Sequence, residues 1–299
     1  MNQIAQFLQY IRYERNLSPL TVKAYGGDLA QWAQFLTEGK EEVDVKSITT
    51  GDVRAWMVHL ATQGHGSRAI RRKIQAVRAL YKWLMKRGEV KANPAADLEL
   101  AKLPKRLPHY VRPATMDTVL DQRVEAADYE AVRDRLIVMM LYETGMRRAE
   151  LIGLQDAAVD TAGCQVTVCG KRDKERIIPF GNELQAAIEA FRELRAQQVG
   201  GGNGEFFLTA RGGPLYPSLV WRVVHDALLQ AGATGKASPH VLRHSFASAM
   251  LNGGAQLGSV KELLGHESLA ATQVYTHITF SELKNNYKLA HPRALKKGG

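Results

Sequence analysis

Four of the ten prolines, Pro94, Pro104, Pro108 and Pro113, fall within a single stretch of the chain, and no one helix or packed strand can run through them. Each proline fixes its own φ, lacks an N–H and pushes the preceding residue out of the helical region. With Lys102, Lys105 and Arg106 in the same stretch, residues 92–110 are predicted to form an extended linker. The chain is thereby cut into an amino-terminal domain, 1–91, and a carboxy-terminal domain, 111–299. Two domains suit 299 residues at about 100–200 residues each.

Four helices are predicted before the linker. Ile4, Phe7, Leu8 and Ile11 form one apolar stripe. Ser18 caps a second helix with Pro19 in its first position, and Val22, Tyr25, Leu29, Trp32 and Leu36 line its inner face. Thr50 starts a third helix, carrying Val53, Met57 and Leu60. Ser67 opens a fourth, with Ile70, Ile74, Val77, Tyr81 and Leu84 inward and Gly88 as its stop. Only 7% of residues are aromatic while alanine, leucine and arginine are plentiful, which also points to a mainly helical fold.

Composition removes several classes. The 45% apolar and 23% charged content argues against disorder, collagen-like repeats and low complexity. No apolar run reaches the ~20 residues of a membrane helix. The start, Met1-Asn2-Gln3-Ile4-Ala5-Gln6, lacks a signal peptide's basic and apolar regions. Cys164 and Cys169 are the only cysteines and sit five apart on one predicted strand, hence on opposite faces. This usage fits thiols in a reducing compartment, and the expected location is cytoplasmic.

Charge points to a partner. Forty Lys and Arg against thirty Asp and Glu leave +10, with a pI near 9.6. Such a balance favours polyanions, nucleic acid first. The fourth helix carries Arg68, Arg71, Arg72, Lys73, Arg78 and Lys82, with no acidic residue between Arg68 and Arg87. A run of this kind is either a solvated outer face or a phosphate-contacting one, and the missing acidic partners favour the second. Arg68, Arg71, Arg72, Arg78 and Lys82 are the expected DNA-binding residues.

The carboxy-terminal domain is again mostly helical, with one exception. Gln165–Val168 and Arg176–Phe180 are strand-like, and Gly170–Glu175 between them is a turn, so a β-hairpin with a cationic tip is predicted. Helices are expected at about 182–198, 217–231, 240–252, 259–264 and 280–290, the last opened by Thr279 and Glu282 at capping-box spacing.

Around this scaffold several residues look chemical. Arg147 follows a glycine turn at a helix start, Lys171 sits at the hairpin tip, and His240 and Arg243 share one helical face. Gly265-His266 follows an apolar run, and Tyr275 comes nine residues later. Each has a bland alternative: a surface contact, a solvated lysine, a half-buried tyrosine. The four histidines His240, His244, His266 and His277 have no acidic or cysteine ligand at a zinc spacing, and Arg243 beside two of them would repel a cation, so no metal is expected.

Taken together the set is specific. The ordered residues Arg147, Lys171, His240-x-x-Arg243, Gly265-His266 and Tyr275 resemble the active-site signature of the tyrosine recombinases, the phage-integrase family. The flanking runs Thr144-Gly145-Met146-Arg147, Lys174-Glu175-Arg176, Leu263-Leu264-Gly265-His266 and Thr272-Gln273-Val274-Tyr275-Thr276-His277 match in order and spacing. Within the family, the length and the ending Ala290-His291-Pro292-Arg293-Ala294 are similar to the Xer recombinases, on the XerC branch.

That resemblance implies a mainly α, two-domain, C-shaped DNA clamp. A SAM-like helical core-binding domain would join an α/β catalytic domain with a small β-hairpin or sheet. It implies site-specific strand exchange through a 3′-phosphotyrosyl intermediate, with Tyr275 as nucleophile and no cofactor. Arg147 and Arg243 would bind the non-bridging phosphate oxygens, since planar guanidiniums suit that array. Lys171 would protonate the departing 5′ oxygen, His240 would take or orient the tyrosine proton, and His266 would add a phosphate hydrogen bond. The helix at about 280–290 would dock into a neighbouring protomer. Further implied partners are double-stranded DNA, an XerD-like paralogous recombinase, an FtsK-like septal DNA translocase and a tetrameric synapse on two sites. The task implied is resolving chromosome or plasmid dimers at a dif-like site. An integrase or invertase of a mobile element would share the residues, but core-like helices beginning almost at Met1 leave no arm-binding extension. A non-catalytic DNA-binding protein is disfavoured because the nucleophile and both arginines are present. Glu150 is expected to serve a structural role. Two departures from the family pattern stand out: Glu267 after His266, and Gly26-Gly27, expected to interrupt the second helix.

Overall fold

Helix starts follow the prolines. Pro19, Pro113, Pro217 and Pro239 are each the first residue of a helix, where the missing N–H costs nothing and the fixed φ is already helical. The structure, a computed structural model, describes residues 2–37, 44–101, 110–170, 174–233, 235, 237–265 and 280–294. The chain divides into two units, Met1–Arg106 and Leu107–Gly299, each with its own core.

The first unit holds α1 (Asn2–Gln9), extended by one wide turn over Tyr10–Glu14, then α2 (Pro19–Thr37), α3 (Thr50–Thr62) and α4 (Ser67–Lys86). Thr49 and Asp52 cap α3 reciprocally: the Asp52 N–H donates to the threonine hydroxyl and the Thr49 N–H to the carboxylate. On α4, Ile74, Val77, Leu80, Tyr81 and Leu84 recur at three- and four-residue spacing and are all buried. They close on Phe7, Leu29, Trp32, Val53 and Trp56, the two tryptophan rings lying 5.0 Å apart. Ala95 and Leu98, inside the stretch read as linker, are also buried in this core.

Helix α2 runs unbroken through Gly26-Gly27, so the expected interruption does not occur. Packing elsewhere on the helix outweighs about 1 kcal/mol of lost propensity at each glycine. Asp28, 2% exposed, pairs with Arg72 at 2.6 Å and with buried Lys73 at 3.3 Å, which explains how a lysine sits in this core.

The second unit is built around α6 (Tyr129–Thr144). Residues 136–146 are all buried, so this segment has neighbours on every side and carries no amphipathic stripe. Around it lie α5 (Pro113–Leu120), α7 (Arg148–Ile152), α8 (Asn182–Gln198), α9 (Pro217–Gln230), α10 (Pro239–Asn252), α11 (Leu257–Leu264) and α12 (Phe280–Ala290). Three antiparallel strands, β1 (Val159–Asp160), β2 (Gln165–Cys169) and β3 (Glu175–Pro179), form one sheet in that order. The predicted hairpin is β2–β3, with Val166 opposite Ile178 and Val168 opposite Arg176; β1 was not anticipated. Fold class is therefore mainly α with a small sheet, as expected.

One sequence expectation changes here. Cys164 has φ 51 and lies in the turn before β2, not on the strand with Cys169, so the opposite-face argument does not hold; both thiols are free. Helix α12 packs in this single chain through Leu283, Tyr287 and Ala290, which join the core of the second unit, while Leu289 is 82% exposed.

The segment after α12 is anchored by charge. Arg293, 1% exposed, pairs with Asp117 at 2.8 Å, Asp121 at 3.0 Å and Glu183, and lies 3.8 Å from fully buried Glu143. Burial, reinforced by Glu183, pushes the Glu143 carboxyl up to about 8. Burial pushes His291 down to about 3, while its ring stacks on Tyr287 at 5.0 Å.

These two shifts act on stability in opposite directions. Glu143 holds its proton in the fold, so its contribution is lost as pH rises from about 4.5 toward 8. His291 is neutral in the fold, so its contribution is lost as pH falls below 6.5 toward 3. The slopes offset one another between 4.5 and 6.5, and below 4.5 that of His291 remains, at about 1.4 kcal/mol per pH unit. Substituting His291→Phe, which keeps the stacking, is expected to make the loss of thermal stability between pH 4.5 and 3 shallower. An unchanged acid limb in melting curves would assign it to other groups.

Candidate active site

Glycine geometry delivers the first arginine. Helix α6 ends at Gly145 with φ 61, and a Cβ there would lie 2.4 Å from the Phe246 ring, so no other residue fits. The resulting turn sets Arg147 in extended backbone at the start of α7. Its N–H donates to Glu150 Oε2 and its Nη1 to Glu150 Oε1, both at 2.7 Å, and Nη2 donates to the Gly265 carbonyl at 2.9 Å. Gly145→Ala should destabilise the second unit by about 3 kcal/mol through ring displacement and a strained φ. Denaturant unfolding of the full chain reads this, and a change under 1 kcal/mol would contradict the packing described.

Arg243 comes from α10, one turn beyond His240. Its Nη1 donates to the Gly145 carbonyl at 2.6 Å and its Nη2 to the Leu264 carbonyl at 2.5 Å. The two arginines therefore hang on adjacent carbonyls at the end of α11. A third joins them. Arg176, on the inward face of β3, donates from Nε to the Leu263 carbonyl at 2.7 Å, and grips Glu150 with Nη1 at 2.8 Å and Nη2 at 2.7 Å. Three consecutive carbonyls, 263 to 265, thus accept from three different arginines, and the negative end of the helix favours those cations.

Three guanidiniums and one buried carboxylate leave a cationic site. Burial, with the charges of Arg147 and Arg176, lowers the Arg243 pKa to about 10, so it remains charged at neutral pH. Glu150 is held below the ordinary carboxylate range by the bonds from Arg176 and Arg147, which outweigh its burial. His240 is exposed on the first turn of α10, and partial burial with nearby Arg148, His244 and Arg243 lowers its pKa. A neutral imidazole beside fixed cations can accept a proton while an anion is bound. The hydrogen bonds named above use two of the five side-chain donors on each of Arg147 and Arg243, leaving N–H groups for an oxyanion.

Of the six expected active-site residues, Arg147, His240 and Arg243 are placed by the structure, and it brings the two arginines together. Lys171, His266 and Tyr275 lie outside the described residues, as do Glu267, His277 and Thr279. Gly265, whose φ is 60, is the residue directly before His266. Glu150 and Arg176 were not singled out as site residues. A charged residue two positions before buried Ile178 on an alternating strand was the available signal for Arg176.

The five expected DNA contacts on α4 separate. Arg68 and Lys82 are exposed. Arg71 donates to the Ala101 carbonyl at 3.2 Å, and Arg78 to the carbonyls of Ala95 and Leu98, both at 2.6 Å. Arg72 pairs with Asp28 and keeps a side chain 49% exposed. Residues 95–101 form no regular element, so their carbonyls need side-chain donors, and these arginines supply them.

Comparison with known proteins agrees with this layout. Residues 114–282 match the phage integrase family, and residues 4–88 match the phage integrase N-terminal SAM-like domain. The chain is 37% identical to "Tyrosine recombinase XerC" of Chlorobaculum parvum, covering 96% of this chain and 94% of the relative. It is 39% identical to the protein of the same name from Mycobacterium sp. strain JLS, covering 96% and 98%. Among solved structures it shares the fold of the Tn1549 transposon integrase in complex with transposon right-end DNA, with TM-score 0.69, 19% identity and coverage of 96% and 98%. It also shares that of the XerH recombinase bound to difH substrate before cleavage, with TM-score 0.66, 21% identity and coverage of 94% and 83%.

Proposed function

Because the chain belongs to the phage integrase family, the tyrosine site-specific recombinases, we propose that it cuts and rejoins double-stranded DNA at a dif-like site through a covalent bond between Tyr275 and a 3′ phosphate. The observation that carries the reading is the placement of Arg147 and Arg243 on adjacent carbonyls, directly before His266 in the chain. Each guanidinium offers planar N–H donors to the scissile phosphate, whose non-bridging oxygens gain charge in the transition state. Tyr275 attacks in line, Lys171 protonates the leaving 5′ oxygen, His240 accepts the tyrosine proton and His266 donates to the phosphate. One phosphate ester replaces another, so religation needs no nucleotide. Exposed Arg68 and Lys82, with half-exposed Arg72, are the α4 side chains assigned to the DNA backbone.

The XerC-named relatives, similar along nearly the whole chain, favour chromosome or plasmid dimer resolution in the cytoplasm over mobile-element integration. On this reading the partners are an XerD-like paralogue, an FtsK-like translocase and a tetramer on two sites. The test is a nicked suicide duplex carrying a dif-like site, incubated in EDTA without nucleotide, with and without the paralogue. A covalent protein–DNA band on a denaturing gel is expected from wild type and not from Tyr275→Phe. Adduct formation that required a divalent cation would overturn the mechanism.

A further inference from the structure

We propose that Arg176 is a positioning residue for strand cleavage, one that aligns Arg147 and Arg243 on the scissile phosphate without touching it. This rests on the phosphate-binding role given above to those two arginines. All three nitrogens of the Arg176 guanidinium donate to protein groups. Two nitrogens grip both oxygens of Glu150, and the third holds the Leu263 carbonyl. Its side chain is 10% exposed, against 37% for Arg147, so it lies further inside than the arginine it helps to hold.

What it grips gives the reason for the proposal. Glu150 holds Arg147 through backbone and side chain, so the orientation of that carboxylate fixes the Arg147 fork. The Leu263 carbonyl neighbours the two that hold Arg243 and Arg147, so a pull on Leu263 sets the register of all three. A single planar side chain on β3 thus ties α7 to the end of α11. The contact is close enough that a Cβ on Gly265 would come within 3.2 Å of the Arg176 Cδ. Arg176 also opposes Val168 in the β2–β3 ladder, so the tie starts from a rigid strand pair. Lysine cannot reproduce it, because one ammonium cannot meet two carboxylate oxygens and a carbonyl with fixed, planar geometry.

The experiment measures single-turnover cleavage of the suicide duplex by the full-length protein, at saturating protein, for wild type, Arg176→Met and Arg176→Lys. Site affinity and melting temperature are recorded for each. Both variants should cleave about 100-fold more slowly, a loss of the size seen when a transition-state donor is misplaced, with affinity within about threefold of wild type. The same rates are then measured on a duplex whose scissile phosphate is a methylphosphonate. One charged non-bridging oxygen is missing there, so alignment of two guanidiniums matters less. The defect should shrink to about tenfold or less. An equal defect on both substrates, or rescue by lysine to near the wild-type rate, overturns the proposal and leaves Arg176 a structural cation. If Arg176→Met is too unstable to assay, Arg176→Lys carries the same comparison. Wild-type cleavage with an unimpaired Arg176→Met removes this inference alone. No wild-type cleavage of either duplex, with the paralogue present, removes the phosphate-binding reading and this inference with it.

Discussion

Replacing Arg243 with lysine is expected to slow DNA cleavage by about 10³-fold while leaving the protein folded and bound to its site. Arg243 does two jobs with one plane. Its Nη groups fasten the Gly145 and Leu264 carbonyls, which fixes the guanidinium, and on the mechanism proposed above its other N–H groups bind the scissile phosphate. Lysine keeps the charge but supplies a single ammonium at the end of a flexible stem. It cannot hold both carbonyls and the phosphate, and removing one preorganised donor to a developing oxyanion costs about 10²–10³-fold. The released carbonyls cost stability as well, roughly 1 kcal/mol. Single-turnover rates on the suicide duplex, with site affinity measured in parallel, check this; a loss under tenfold would mean that Arg243 only braces the helix ends.

The second large effect concerns stability. Arg293→Met should destabilise the second unit by about 3–5 kcal/mol and leave the first untouched. Arg293 is a buried cation shared by Asp117, Asp121, Glu183 and Glu143 as described above, and methionine would remove that shared charge from among them. Glu143 is already pushed up to about 8 and would be held neutral to higher pH still. Hydrogen exchange separates the units: amides of α6 and α12 should lose protection, while those of α2 and α4 should not. Equal loss in both units, or none, would contradict this anchor.

Local signals were legible in the chain. The proline-first start of α2, the β2–β3 hairpin and the inward faces of α2 and α4 depend on residues a few positions apart, and these arise as expected, whereas α5, opened by Pro113, was not foreseen. What was missed depends on tertiary contact. The carbonyl contacts of Arg71 and Arg78 were not legible, because no pattern of charge reveals that residues 95–101 fold back and present carbonyls. Arg176 could not be paired with Glu150 before the β2–β3 register and the end of α11 were known. The anchor at Arg293 joins residues as far apart as Asp117, a separation of 176 positions, beyond any periodic signal. Cys164 was misplaced because a residue with φ 51 ends a turn instead of starting a strand. The buried segment of α6, enclosed on every side, offers no stripe to read.

The site also narrows the choice of nucleophile. Tyr287 follows Tyr275 closely in sequence but is 1% exposed, and burial raises its pKa well above the ordinary 10, so its hydroxyl is a poor and inaccessible attacking group. The most direct measurement of the central claim is therefore peptide mass spectrometry of the covalent adduct trapped on a nicked duplex, together with analysis of the released DNA end. The account predicts a nucleotide 3′-phosphate attached to Tyr275 and a free 5′-hydroxyl on the departing strand. A nucleotide on any other residue, or a 5′-phosphate on that strand, would contradict it.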